Sequence, residues 1–464
     1  MASSISSLVD RVRTYAGAVA WDPIIKSCRR SILSLLSEIK IGRLTVVESD
    51  GTETVCGQAG EHVEPLARLQ VVRDAFWLRL ALFADMVSLP PPLESQRVDL
   101  GSKPDPIEEG DNADQNTKLF ILNRNELSNA TTITSYLSST ISGFLRRTNT
   151  LPNAQLNISA HYDISNEMFE AFLSRDMTYS CPIWAPLSKL DESKKEEPLE
   201  DAQMRKLDRF IDNAKIKKTD HVLEIGTGWG SFAIRAVQRT GCRVTSLTLS
   251  REQKDLADHR IAEAGLTDNI EVLLCDYRAL PMPREGPYDK LVSIEMLEAV
   301  GREFLTTYFD CVHKLLKPNG GIAVFQCITM PESRYEAYAK GEDFIRKYIF
   351  PGGHLPTVSQ LVDSINTGSQ GLLVVDSIEN IGPHYAKTLR IWRENFEQNF
   401  QKRIKPALLA EHDGMTESDV QLFRKKWEYY FTYCEAGFNT KTLGDVIITV
   451  AREGAMEMME EIPM

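Results

Sequence analysis

The chain has 464 residues, 42% of them hydrophobic and 25% charged, with a formal net charge of −12. That composition suits a globular protein with a sizeable core and room for more than one domain. The acidic balance speaks against wholesale nucleic-acid binding, which needs a basic face. No window reaches the ~18 apolar residues of a membrane span, so a lipid partner would be met peripherally.

The N-terminal MASSISSLVDRVRTYAGAVAWDP carries charges throughout and lacks the apolar run of a secretory signal. Its weak amphipathicity and two arginines leave a transit peptide as the alternative. Eight cysteines are scattered without a CxxC pair. They read as neither a disulfide framework nor a zinc module, and no metal site is expected; the expected location is a reducing, cytoplasmic one with peripheral membrane contact.

Residues 1–88 read as a small α/β unit. CRRSILSLLSEI has helical periodicity, and GRLTVVES and TETVCG flank Asp50–Gly51 as a hairpin. VVRDAFWLRLALFADM reads as an apolar helix. Residues 89–117, rich in Pro, Gly and acid, read as a linker. Residues 118–155 read as a helical connector, and the catalytic domain is expected over 156–464. Within it KLDESKKEEPLED precedes a helix starting near Ala202. From residue 220 strands and helices alternate: HVLEIG, SFAIRAVQRT, RVTSLTL, REQKDLADHRIAEAG, IEVLLCD, YDKLVSIEM and GGIAVFQCI, with GLLVVDSIENI and LGDVIITVAR as late strands. This order predicts an α/β fold, a parallel sheet with helices on both faces. The insertion after ITMP, about 331–370, is too long for a simple crossover and is placed to cover the strand ends. The basic runs at Arg424–Lys426 and near Lys402 read as solvated helix faces.

VLEIGTGWGS puts Gly226, Gly228 and Gly230 between a strand and a helix, where glycine permits a tight turn and close backbone approach to a ligand. The spacing is not that of a dinucleotide fingerprint, and the acid expected ~20 residues on is replaced by SLTLS. Glu224 would disfavour a phosphate and suit a cation. Together these point to S-adenosylmethionine (SAM), an adenosine with a sulfonium and no phosphate. Asp276, ending the third strand, could face the adenine with Tyr277 stacking beside it, or could cap a helix. The segment AHYDISNEMFEAFLSRDMTYSC, residues 160–181, has too many rings for a surface loop and too many polar groups for a plain core helix.

These segments, with TLSREQ, CDYRALP, SIEMLEAVG, FIRKYIFPGGHLP, HYAKTLRIWRENF and YYFTYCEAGF, resemble the cyclopropane-fatty-acyl-phospholipid synthases and mycolic acid cyclopropane synthases. EMLEAVG and YIFPGGHLP look closer to the eukaryotic branch. The resemblance implies a Rossmann-like class I SAM-dependent methyltransferase with a mostly parallel seven-stranded sheet, a lid insertion and a small N-terminal α/β domain. It implies that the 160–181 segment closes over the cofactor. Tyr179 and Ser180 would contact SAM, with Gly226 and Gly228 approaching through backbone. Thr248, Leu249 and Gln253 would take the ribose and adenosine, with Tyr277 at the adenine and Ile294 lining the pocket.

It also implies a bound bicarbonate held by Cys181, Glu298, Gln326, Ile328 through its backbone, Tyr385 and Cys434. There the π bond of a cis alkene takes the sulfonium methyl, and the anion removes a proton so that a ring closes. Of Glu295 and Glu298, three apart after a strand, one could serve only as a helix N-terminal charge; Glu298 is taken as the partner of the ion. Three departures stand out: Gln326 where many bacterial members have His, Pro182 after the cysteine, and MVSLPPPLESQ in place of the N-terminal lipid-presenting segment. Without the resemblance, Cys434 reads as a structural cysteine on an aromatic helix, Tyr385 as a packing residue, and His161 and His354 as structural histidines. The expected reaction is SAM-dependent methyl or methylene transfer to a C=C bond of an unsaturated acyl lipid. The competing readings are a C- or N-methyltransferase of specialised small molecules and a non-catalytic lipid-binding protein. A homodimer is also among the expectations.

Overall fold

The computed structural model describes residues 22–58, 64–74, 76–77, 115–116, 118–123, 166–186, 188, 197–341, 343–412 and 414–460. The start of the 160–181 segment, with His161, and nearly all of the expected linker and connector lie outside the described residues. The chain divides into two compact units, residues 1–141 and 142–464.

In the first unit, helix α1 (Asp22–Leu36) precedes strands β1 (Arg43–Val47), β2 (Glu53–Gly57) and β3 (Leu66–Gln70). β1 and β2 form the expected antiparallel hairpin, with Gly51 at φ +85 in the turn. β3 pairs parallel to β1. Its sequence, LARLQ, has no strong strand preference, and it is the pairing that makes it a strand. Ile32 and Leu36 of α1 pack on Leu44, Val46 and Leu119. The fully buried Asn123 ties its own segment to the loop between α1 and β1: its Oδ1 accepts from the backbone N–H of Lys40 and Ile41 at 2.8 and 2.9 Å. The first described turn of the expected connector thus belongs to this unit's core.

The second unit is built on a seven-stranded sheet of order β6-β5-β4-β7-β8-β10-β9. Its strands are β4 (His221–Ile225), β5 (Arg243–Thr248), β6 (Ile270–Leu274), β7 (Lys290–Ile294), β8 (Ile322–Thr329), β9 (Val374–Asn380) and β10 (Gly444–Ala451). β4 to β8 pair in parallel, while β10 is antiparallel to both neighbours. The parallel strands are buried along most of their length, which explains their unbroken apolar runs. Chain order reverses between β4 and β7, and in such sheets ligands bind where the strand order reverses, outside the carboxyl ends.

The helices of this unit are α2 (Asn166–Phe172), α3 (Leu199–Asn213), α4 (Ser231–Thr240), α5 (Arg251–Glu263), α6 (Leu305–Leu315), α7 (Glu332–Lys340), α8 (Phe344–Tyr348), α9 (Val358–Gly368), α10 (Pro383–Asn399), α11 (Lys405–Glu411) and α12 (Glu417–Asn439). The insertion forms α7, α8 and the turn after them. α9 is an ordinary crossover helix: a Cβ on its Gly368 would lie 2.6 Å from Thr306 O and 2.8 Å from Phe309 Cβ, so it packs closely on α6. The described rings of the 160–181 segment, Phe169, Phe172 and Tyr179, are engaged in packing. Phe169 and Phe172 are fully buried, and Phe169 meets Trp229 at 5.0 Å and Tyr179 at 5.3 Å. Among the described residues, no helix is long and apolar enough to cross a membrane, and no cluster could hold a metal ion. All eight cysteines are free thiols.

Candidate active site

A cavity of about 190 Å³ opens at the ends of β4, β5 and β7. Tyr179, Ser180, Glu224, Gly226, Gly228, Thr248, Leu249, Gln253, Asp276, Tyr277 and Ile294 all stand in its wall. Gly230 does not. It is the N-cap of α4 at φ +87, and a Cβ there would sit 3.3 Å from Ala257 Cβ, so its role is to let α4 and α5 approach. Gly226, at φ +104, lies against Met296, whereas a Cβ on Gly228 would meet nothing within 4 Å. The open side of Gly228 is therefore space left for a ligand.

Glu224 is 2% exposed, and burial pushes its carboxyl up to about 8, although its Oε2 accepts from the Ser246 hydroxyl at 2.5 Å. A cation placed beside it would draw it back into the charged form. Thr248 Oγ1 donates to Gln253 Oε1 at 2.9 Å, which holds the Gln253 side chain against the end of β5. Asp276 is engaged by Arg278, which donates through Nε and Nη2 at 2.9 and 2.7 Å and through its backbone N–H at 2.9 Å. Asp276 is thus both a cap and part of the wall. Tyr277 packs edge-on against Tyr308 at 5.0 Å. These walls fit SAM: a backbone approach free of side chain at Gly228, an enclosed acid at Glu224, and polar groups at Gln253 and Thr248.

Deeper lies a cluster of carboxyls. The Glu295 carboxylate collects three donors: on Oε1 the Cys181 backbone N–H at 2.7 Å and Gln326 Nε2 at 2.6 Å, on Oε2 the Tyr385 hydroxyl at 2.7 Å. Gln326 Nε2 also reaches Asp445 Oδ2 at 2.8 Å. Glu298 Oε1 accepts from Ile328 N–H at 2.5 Å, and its Oε2 is enclosed with no partner. So Cys181, Gln326 and Tyr385 converge on Glu295, and Ile328 on Glu298. What Cys181 directs to the site is its backbone N–H, since its thiol turns to the carbonyls of Pro182 and Ile381. Cys434 lies half-buried on α12 against the core, where burial pushes its thiol up. Burial raises Glu298 to about 8, with the Glu295 charge adding to the shift. Glu295 and Asp445 are raised as well, first by burial. Glu295 also has φ +47, left-handed backbone that costs a non-glycine residue about 1–3 kcal/mol.

Residues 149–447 match the family described as mycolic acid cyclopropane synthetase. The chain belongs to this family. Over 302 residues it is 43% identical to the tuberculostearic acid methyltransferase UfaA1 of Mycobacterium tuberculosis, covering 65% of this chain and 66% of that protein. It is 31% identical to the cyclopropane-fatty-acyl-phospholipid synthase of Escherichia coli over 61% of this chain and 64% of that one, so it spans under two thirds of the length of either. The mycolic acid cyclopropane synthase CmaA1, solved with SAH and CTAB, superposes with a TM-score of 0.54 at 27% identity, covering 64% of this chain and 98% of that chain. Coclaurine N-methyltransferase, with a TM-score of 0.57 at 19% identity over 74% of this chain and 95% of that one, shares the fold. The fold is that of the class I SAM-dependent methyltransferases.

Three charged residues at or beside this cavity, Lys206, Asp445 and Glu295, lie outside the site residues expected from sequence. Lys206 is fully buried, lines the cavity and donates to Ser180 Oγ at 2.5 Å. It stands on the apolar stripe of α3 with Ala202 and Phe210, and a lysine at that spacing was the available signal. Asp445 is likewise fully buried in the apolar run of β10. Glu295, and not Glu298, stands in the cavity wall with Glu224 and Asp276.

Proposed function

We propose that the protein transfers a methyl or methylene group from SAM to a C=C bond of an unsaturated acyl lipid. The observation that carries this reading is the Glu295 cluster: an enclosed carboxylate held by a tyrosine, an amide and a backbone N–H at the edge of the cofactor cavity, whose lining also includes the rings of Tyr179, Trp229, Phe232 and Tyr277. Tyr385 lies 4.6 Å from the Phe438 ring and 5.9 Å from that of Trp392. Rings at and around the cluster suit a hydrocarbon acceptor and would steady a transient cation by cation–π attraction. The named activities of the relatives support it further: an M. tuberculosis protein is a tuberculostearic acid methyltransferase, and a Candida albicans one, 34% identical over 53% of this chain, a sphingolipid C9-methyltransferase.

When bound, SAM supplies an electrophilic methyl on a sulfonium. Glu224 would hold the positive end of the cofactor, Gln253 and Thr248 its ribose and adenosine, and the backbone at Gly226 and Gly228 its near edge. The chain's remaining task is to keep water from the acceptor cation and take away one proton. Phe350, in the turn of the insertion, meets Tyr179 at 6.5 Å and Tyr430 at 6.0 Å. This supports a closing role for 331–357. Acceptor lipid would be met peripherally at a membrane surface.

The reading is tested by expressing the chain in a host rich in cis-unsaturated lipids and profiling its acyl chains by mass spectrometry. Gain of one CH₂ unit per acyl chain, absent when SAM binding is blocked, is expected. Methylation of a small amine with lipids untouched would favour the specialised-metabolite reading; SAM binding without any product would favour a lipid-binding protein.

A further inference from the structure

Of the donors that the family resemblance gives to bicarbonate, Gln326 and Tyr385 are already held by Glu295, as is the Cys181 backbone N–H, and the Ile328 N–H is held by Glu298. Both oxygens of Glu295 are occupied by partners from three separate segments: the loop after α2, strand β8 and helix α10. Its neighbourhood also contains Glu298 and Asp445, with Lys206 as the buried cation, and a further anion would add like charge to an enclosed cluster. Glu295 lines the cavity beside Gly226 and Ile294. Glu298 sits behind it, on the Ile328 N–H. The left-handed backbone of Glu295 is held by its N–H, which donates to Gln326 O at 3.0 Å. A strained acid pinned by three donors at a cavity edge has the marks of a residue whose position is selected.

We infer that the Glu295 carboxylate is itself the proton acceptor of this site, standing where a free bicarbonate would otherwise bind, so that the reaction needs no dissolved anion. The inference rests on the methyl-transfer reading above. The alkene π pair bonds to the methyl carbon as the S–CH₃ bond breaks, its electron pair staying on sulfur. S-adenosylhomocysteine and a cation on the neighbouring chain carbon result. Glu295 then takes a proton from the new methyl group. The released C–H pair closes a three-membered ring or, after a hydride shift along the chain, forms a methylene double bond. Either product yields one proton per turnover, which rests on Glu295 until solvent collects it.

Two substitutions test this. Glu295→Gln keeps the shape and removes the base. Glu295→Gly relieves the backbone, which glycine adopts freely, and empties the space between the three donors. Turnover of wild type is expected to be the same in carbonate-depleted buffer as with bicarbonate added. Glu295→Gln should lose ~10²–10⁴-fold with SAM affinity within a few-fold of wild type. Glu295→Gly should be equally slow in depleted buffer and regain rate when bicarbonate is added. Binding of ¹³C-bicarbonate, followed by NMR in the presence of S-adenosylhomocysteine, reads the same site without any acyl acceptor: no bound signal in wild type and a bound signal in Glu295→Gly. Bound bicarbonate in wild type, or a Glu295→Gln variant at full rate, overturns the assignment. A wild type that methylates no lipid would instead defeat the functional reading, and the ¹³C experiment would still decide the role of Glu295.

Discussion

Replacing Gly228 by valine separates what the turn needs for folding from what it needs for the cofactor. A Cβ at Gly228 meets no protein atom within 4 Å, so the added side chain clashes with nothing in the protein at that first atom. The cost to the free protein is the left-handed backbone at φ +51, about 1–2 kcal/mol for an L-residue. At roughly 2–4 °C per kcal/mol for a domain of this class, the melting temperature should fall by a few degrees. The same space must admit SAM. Losing the close backbone approach should cost roughly 2–4 kcal/mol of binding, which is about 30- to 1,000-fold in Kd. Gly230→Val is the control with the opposite balance: its Cβ would already press at 3.3 Å on Ala257, between α4 and α5, away from the cavity wall. It should destabilise the protein more and weaken SAM less. Titration calorimetry with SAM and scanning calorimetry of the free proteins measure the two effects. If Gly228→Val binds SAM as wild type does, or loses more stability than Gly230→Val, the division of labour among these glycines is refuted.

The enclosed acids make the free protein pH-sensitive. Glu224 and Glu298 hold their protons to about pH 8 when folded and release them near 4.5 when unfolded. The folded state therefore binds more protons across that window, and stability should fall as pH rises from about 5 to 8 and then level off. Glu298→Gln should flatten part of this slope, and urea unfolding at pH 6 and pH 8.5 checks it; stability that rises across the window would contradict it. Lys206→Met leaves the carboxyl cluster without its buried cation and the Ser180 hydroxyl without its donor. A loss of about 3–5 kcal/mol in denaturant unfolding is expected, and a loss under about 1 kcal/mol would show that Lys206 is neutral in the fold. Hydrogen exchange across 331–357 should slow when SAM and an acyl lipid bind together. Unchanged exchange in that segment would make the insertion a fixed part of the scaffold.

Much of the second unit could be read from local pattern. The buried parallel strands needed continuous apolar runs, and the helices between them needed one apolar stripe. A glycine-rich turn between strand and helix pointed to the cofactor, because glycine leaves room there for close backbone approach, whereas most other residues expected in the cofactor wall came from the family resemblance. Strand β3 was not legible, because LARLQ becomes a strand only through pairing with β1. Nor were the different partners of Glu295 and Glu298. Three residues apart, they look alike in sequence, and only the packing of a loop, a strand and a helix brings Cys181, Gln326 and Tyr385, respectively 114, 31 and 90 residues away, onto the first of them. Lys206 and Asp445 were visible as charges in apolar patterns, yet what they face was set by the packing of α3 and β10 into the same interior. Periodicity and turn chemistry act between near neighbours and so are written along the chain. The protonation, strain and partners of an enclosed acid arise from groups that meet only when distant segments pack, and tertiary structure alone decides them.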